Sequence, residues 1–366
     1  MRSRFLLLLG ISLTYFLSTS AKMLDGVANT NPLTKTNILN ASEPPNTSTR
    51  LLRLPTTTHQ DHEDVQDKLA GERAGLPGMT KLDDLAYKLA LKVETNPIDI
   101  FKGLRAAKTG GKLEGDKGFL RWLLYVKQYR VKRGGGGWFS DGKLFDLLRK
   151  TKPEAELVTL FQSLRGYPNF KDIADKMQSN MILISATSHK LTNEAWLKAR
   201  ETPQQVFDIL RLGDETLQSL GSSSLFIHWL RYIKAHRASI ESESFSDLDT
   251  LRFLQKRKPF TNEFKFGNLF QPIKDTPDLD DLLKGMQTHL YRKWMRDHNV
   301  DPNELARQLG VPYSLNFRII PKRDPRYQNF QAYTMHFAEQ RGGAALLEQV
   351  KKLFADNEPY AALTAA

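Results

Sequence analysis

A chain of 366 residues with no cysteine excludes disulfide scaffolds and thiolate metal sites, and suits a protein that works in a reducing compartment. Hydrophobic residues make up 40%, enough for a packed core, and the length exceeds one typical domain. The formal net charge of +12 favours anionic partners, but no basic block dominates, and a solvated helical surface rich in Lys and Arg accounts for it as well.

Arg2 and Arg4 precede an apolar run, Phe5 to Leu9, that continues through Ile11 and Leu17 to the small residues Ser18, Thr19, Ser20 and Ala21. This is the pattern of a signal peptide, residues 1–21, with cleavage after Ala21. No later stretch approaches eighteen apolar residues, so no transmembrane segment is expected in the mature chain. Without the two leader arginines the charge is +10.

Residues 22–79 are polar, with Pro32, Pro44, Pro45 and Pro55 among many Thr, Asn and Ser, and are expected to be disordered. Two glycosylation sequons, at Asn40 and Asn46, fall here. They are followed by Arg50-Leu51-Leu52-Arg53 and then by Gly71-Glu72-Arg73. Paired guanidinium groups suit phosphate, and exposed basic residues in a flexible segment suit a protease.

From residue 80 onward the sequence repeats itself. Pro97 to Phe101 matches Pro203 to Phe207; Trp122-x-x-Tyr125 matches Trp229-x-x-Tyr232; Phe139-Ser140-Asp141 matches Phe245-Ser246-Asp247. A third, partial copy has Trp294 echoing Trp196, Pro302 to Ala306, and Phe330 and Tyr333 in place of Trp and Tyr. Three helical modules are therefore expected, at 80–187, 188–287 and 288–366. Leu82, Leu85, Leu89 and Val93 form one helical stripe; Thr95, Thr202 and Asp301 are placed to cap helices that begin near Pro97, Pro203 and Pro302. No alternating strand run occurs, so the fold class is all-α: tandem small helical bundles joined end to end after a disordered N-terminal region. Trp122, Tyr125, Trp229, Tyr232, Phe330 and Tyr333 are read as bundle core rather than as a stacking platform for bases.

The leader, the Arg-x-Leu-Arg tetrapeptide and the repeated Trp and Tyr together resemble the RxLR effectors of oomycete plant pathogens with tandem WY and LWY modules. The acidic run of that family is degenerate here, only Glu72 and Arg73 matching. The resemblance implies a secreted virulence effector delivered into host plant cells, to cytoplasm or nucleus, through a motif made of Arg50, Leu52, Arg53, Glu72 and Arg73. In the family this motif is an entry signal, an anionic phospholipid ligand or a processing site. The implied activity is suppression of immunity or immune cell death by binding a host plant protein, a phosphatase scaffold or another signalling component.

The sequence carries no Gly-x-Ser-x-Gly, dinucleotide fingerprint or His-Glu-x-x-His motif. Gly134 to Gly137 lack the preceding strand and following Lys-Ser/Thr of a phosphate loop, and the eight histidines are scattered. No catalytic, cofactor or metal residues are expected, and the chain is read as a non-enzyme. The alternative is a nucleic-acid-associated effector of the host nucleus, motivated by the basic charge.

Overall fold

The computed structural model describes residues 81–104, 112–239, 245–259, 261–311 and 320–366, with side chains from residue 85 onward. These belong to one compact unit covering residues 64–366. The leader, Asn40, Asn46, Arg50, Leu52, Arg53, Glu72 and Arg73 lie outside the described residues. All regular structure among the described residues is helical.

The first repeat begins with α1 (Lys81–Lys92) and α2 (Pro97–Gly103), followed by the aromatic-rich α3 (Lys117–Lys132). Three helices, α4 (Asp141–Arg149), α5 (Glu154–Leu164) and α6 (Lys171–Ile184), complete it. The second runs through α7 (Ala186–Lys198), α8 (Pro203–Ile209), α9 (Leu217–Leu220), α10 (Ser224–Ser239), α11 (Asp247–Arg257) and α12 (Lys265–Phe270). The remaining helices are α13 (Asp280–Asp297), α14 (Pro302–Gln308), α15 (Pro325–Ala355) and α16 (Pro359–Ala365). One apolar core holds Phe101 to Met181; a second runs without interruption from Ile182 to Leu363.

Each repeat opens with the same local device. Three residues before the proline the backbone turns left-handed, at Glu94 (φ 56°), Arg200 (φ 56°) and Asn299 (φ 46°). That turn closes the preceding helix, and the Thr95 and Glu201 amides return to the Ala90 and Trp196 carbonyls. The next helix is capped by Asn96, Thr202 or Asp301, whose side chains accept from the Ile98, Gln205 and Glu304 amides. Proline then takes a first-turn position where its missing amide costs nothing. Thr95 is not the cap that the sequence suggested. Asn96 stands in line with Thr202 and Asp301, and Thr95 lends its carbonyl elsewhere.

That carbonyl receives the tyrosine. Tyr125 donates to the Thr95 carbonyl, Tyr232 to that of Glu201 and Tyr333 to that of Val300, each at 2.6 Å. The tryptophans act one step further on: Trp122 donates to the Pro97 carbonyl at 2.8 Å, Trp229 to that of Pro203 at 2.7 Å. Both indoles are fully buried and meet the phenylalanine four residues past the proline, Phe101 or Phe207. Arg130 and Arg237 then tie each aromatic helix to the next, donating to the Phe139 and Phe245 carbonyls and pairing with Asp141 and Asp247.

The third repeat departs in a coordinated way. Phe330 is buried but has no N–H to offer the Pro302 carbonyl, Ala306 replaces the phenylalanine, and Ala338 stands where the arginine was. The lost volume is filled by Phe354, 5.9 Å from Phe330, brought back by a break at Gly343 (φ 67°) within α15. Beyond the last helix read from the sequence, a further one, α16, packs on α15. The division expected between 287 and 288 falls inside α13, which carries the end of one repeat and the start of the next without a break.

The stripe read on α1 faces outward. Leu85, Leu89 and Val93 are 53%, 43% and 66% exposed, while Tyr87, Ala90 and Leu91 lie against the core. Spacing identifies an apolar face but not which of two apolar faces finds a partner.

Tyr232→Phe strands the buried Glu201 carbonyl without its donor. We expect a loss of about 1–2 kcal/mol in urea unfolding, with the helical circular dichroism unchanged.

Candidate functional site

Two clusters of buried polar groups lie at the joints between successive repeats. At the first joint, Trp196 on α7 donates to the Gln178 side chain of α6 at 3.1 Å. Gln178, itself fully buried, donates to Gln162 of α5 at 2.9 Å, and Gln162 donates to the Glu201 carboxylate at 2.9 Å. Arg165 closes the circuit by pairing with Glu201 and, at 2.7 Å, with Asp175. Two helices of one repeat, α5 and α6, thus hold the opening turn of the next. Glu201 serves twice, with its carboxylate in the joint and its carbonyl on Tyr232.

The same joint holds an imidazole pair. His228, the residue before Trp229, lies 4.7 Å from the ring of His189 and 5.8 Å from that of Trp196, and neither of its nitrogens has a protein partner. His189 meets the Ile182 carbonyl at 2.8 Å. Burial, reinforced by His189 and Arg231, pulls the His228 pKa down to about 3. Burial also lowers His236 and His336.

The second joint uses other residues for the same purpose. Trp294 donates to Glu263 at 3.0 Å, and Lys293 pairs with the other oxygen of that carboxylate at 2.7 Å. Asn329, the residue before Phe330, is fully buried. It accepts from Tyr291 at 2.9 Å and donates to the Phe264 carbonyl and to Asn268. A Cβ on Gly267 would stand 2.3 Å from the Asn329 oxygen, so α12 can approach only as glycine.

Among the six aromatic residues singled out from sequence, all lie in the bundle cores, with Tyr125, Tyr232 and Tyr333 pushed above the usual tyrosine range chiefly by burial. Their hydroxyls therefore stay protonated and donate. Sequence reasoning missed Gln162, Arg165, Gln178, Glu201, Glu263 and Asn329. Their one sequence signal is position: Glu201 stands two residues before a repeat's proline, and Asn329 one residue before its aromatic. Among the described residues no group of His, Asp and Glu is placed to hold a metal, and no helix is long and apolar enough to cross a membrane.

The arrangement is a series of aromatic bundles held to one another by polar joints. Two family descriptions match it, "RXLR phytopathogen effector protein WY-domain" over residues 128–179 and "Effector PexRD54, WY-domain" over residues 191–233. These matches support an oomycete RxLR effector with WY modules. The chain is 39% identical to RxLR effector protein PexRD18 of Phytophthora infestans over 75% of its length and 57% of the relative. It is 37% identical to RxLR effector protein 54 of the same organism over 50% of each chain. The chain thus spans about half the length of these curated relatives. Among solved structures, PcRxLR12 aligns over 77% of this chain and 59% of its own at 17% identity and a TM-score of 0.28. PexRD54 of P. infestans aligns over 74% and 98% at 21% identity and a TM-score of 0.26.

Removing Arg165 leaves Glu201, at about a tenth of full exposure, without its cation, while Asp175 keeps only the exposed Lys171. We expect Arg165→Ala to cost about 3 kcal/mol in denaturant unfolding. A pH dependence also follows. His228 binds a proton at an ordinary pKa of 6.5 when unfolded and only near 3 when folded. Stability is therefore full above pH 6.5 and falls as the pH drops through that window. Between neutrality and roughly pH 5 the loss from His228 is about 2 kcal/mol. His228→Phe should flatten that part of the profile, as read from urea midpoints at several pH values.

Proposed function

We propose that this chain is a secreted virulence effector that enters host plant cells and suppresses immunity, or immune cell death, by binding a host protein through its helical repeats. It acts as a scaffold and not as an enzyme. The observation that carries this reading is the division of labour in the fold. Side chains with unusual chemistry are spent on cores and joints, leaving long outer helical faces of the kind repeat proteins use for binding. The names of the relatives support the effector role.

The N-terminal readings are part of the same proposal. Residues 1–21 direct secretion, and Arg50, Leu52, Arg53, Glu72 and Arg73 serve host-cell entry, by contact with an anionic phospholipid or as a processing site. Asn40 and Asn46 are glycosylation acceptors. A host phosphatase scaffold or another signalling component is the class of partner proposed.

The test is capture of residues 80–366 expressed inside plant leaf cells, with identification by mass spectrometry. One abundant host protein that disappears with Trp229→Ala, which removes a core indole and its bond to Pro203, is the expected outcome. Capture dominated by nucleic-acid-associated proteins, and abolished by nuclease or moderate salt, overturns this reading in favour of a nuclear, nucleic-acid-associated effector.

A further inference from the structure

The first two repeats can be placed in register through their prolines and the identical turns before them. Leu85 and Leu89 stand twelve and eight residues before Pro97; Leu191 and Ala195 stand twelve and eight before Pro203. In the second repeat those two positions do a specific job: Leu191 and Ala195 on α7 pack against the core of the preceding repeat. In the first repeat the same positions face solvent, and Val93 extends the stripe by one more turn. α1 therefore presents the face that a repeat uses to dock on its predecessor, with no predecessor among the described residues.

The polar surroundings differ between the two. Ala90 stands where Trp196 stands and Thr95 where Glu201 stands, so α1 has neither the indole nor the carboxylate that answered Gln178 and Arg165. Lys88 takes the place of Glu194, and Lys92 that of Lys198. Both lysines are exposed along the stripe, and neither forms an ion pair among the described residues. An occupant thus needs an apolar ridge and carboxylates, not the Gln and Arg of the internal joint.

We propose that the α1 stripe of Leu85, Leu89 and Val93, flanked by Lys88 and Lys92, docks an acidic amphipathic helix of the partner protein. That helix takes the place a preceding repeat takes at the first joint. The chain's own terminal helices do not fit the role. The last segment of α15 carries Lys351 and Lys352 against Glu348, and α16 has no charged residue. A ridge of leucines at four-residue spacing with Glu on either side would bury the stripe and pair both lysines. This inference rests on the reading that the repeats bind a host protein, and it names the face that does so.

The test uses the intact chain and two synthetic helical peptides, each with Leu at i, i+4 and i+8, one flanked by Glu and one by Lys, followed by fluorescence anisotropy. The Glu peptide should bind at least about tenfold more tightly than the Lys peptide, and moderate salt should weaken it. Leu89→Glu should abolish the difference without changing the unfolding midpoint, because Leu89 faces solvent. Lys88→Glu with Lys92→Glu should invert the preference. Equal binding of both peptides, no binding of either, or Glu-peptide binding untouched by Leu89→Glu would overturn the proposal. So would a concentration-dependent dimer of the chain that Leu89→Glu dissolves, since the occupant would then be a second copy. Failure with these peptides while the leaf-cell capture still yields a host protein removes this face and leaves the functional reading standing.

Discussion

The structure depends on a hydroxyl meeting a carbonyl. In each repeat a tyrosine reaches the peptide oxygen two residues before a proline, at the same 2.6 Å. That oxygen is exposed by a left-handed turn that ends one helix and aims the next, and a buried carbonyl without a donor is costly. The tyrosine thus fixes the angle between three helices at once. In the first two repeats the indole N–H satisfies the following proline's carbonyl, so two peptide oxygens two residues apart at the helix start are held from one face of one helix. Trp and Tyr three apart is the spacing this requires.

Glu201 carries the arrangement from the bundle to the joint. Its carbonyl belongs to the second core and its carboxylate to the helices of the first, so the repeats cannot reorient without disturbing both. At the second joint the equivalent residue is Val300, which has a carbonyl for Tyr333 but no side-chain oxygen. Glu263 takes over by reaching Trp294 from the preceding repeat, and Asn329 supplies the remaining polar contacts. Two chemically different joints thus each hold a tryptophan, Trp196 at the first and Trp294 at the second. The outer surfaces can diverge without touching either joint.

Much of this was legible in the sequence because cores repeat and surfaces need not. Trp122, Tyr125, Trp229 and Tyr232 sit at positions where burial and hydrogen bonding both constrain the residue, so their spacing recurs. The N-cap at Asn96 was misread as Thr95, since both residues suit a cap and only the tyrosine contact, thirty residues away, decides between them. The outward direction of Leu85, Leu89 and Val93 was not legible, because α1 has two apolar faces and tertiary packing chooses one. The joint circuit was invisible: Gln162, Arg165, Gln178 and Glu201 are ordinary surface residues by type, and only the fold brings them together. Phe330 in place of tryptophan was visible as a departure, but its compensation by Phe354 depends on the break at Gly343.

The central claim is that polar joints make the repeats one cooperative body. Native-state hydrogen exchange along α3 and α10, followed as denaturant is raised, tests it most directly. If the joint couples the two aromatic helices, their slowest amides converge on a single opening free energy with a single denaturant slope. Separate openings that never merge would show that the repeats are independent bundles on a string, and would contradict the account.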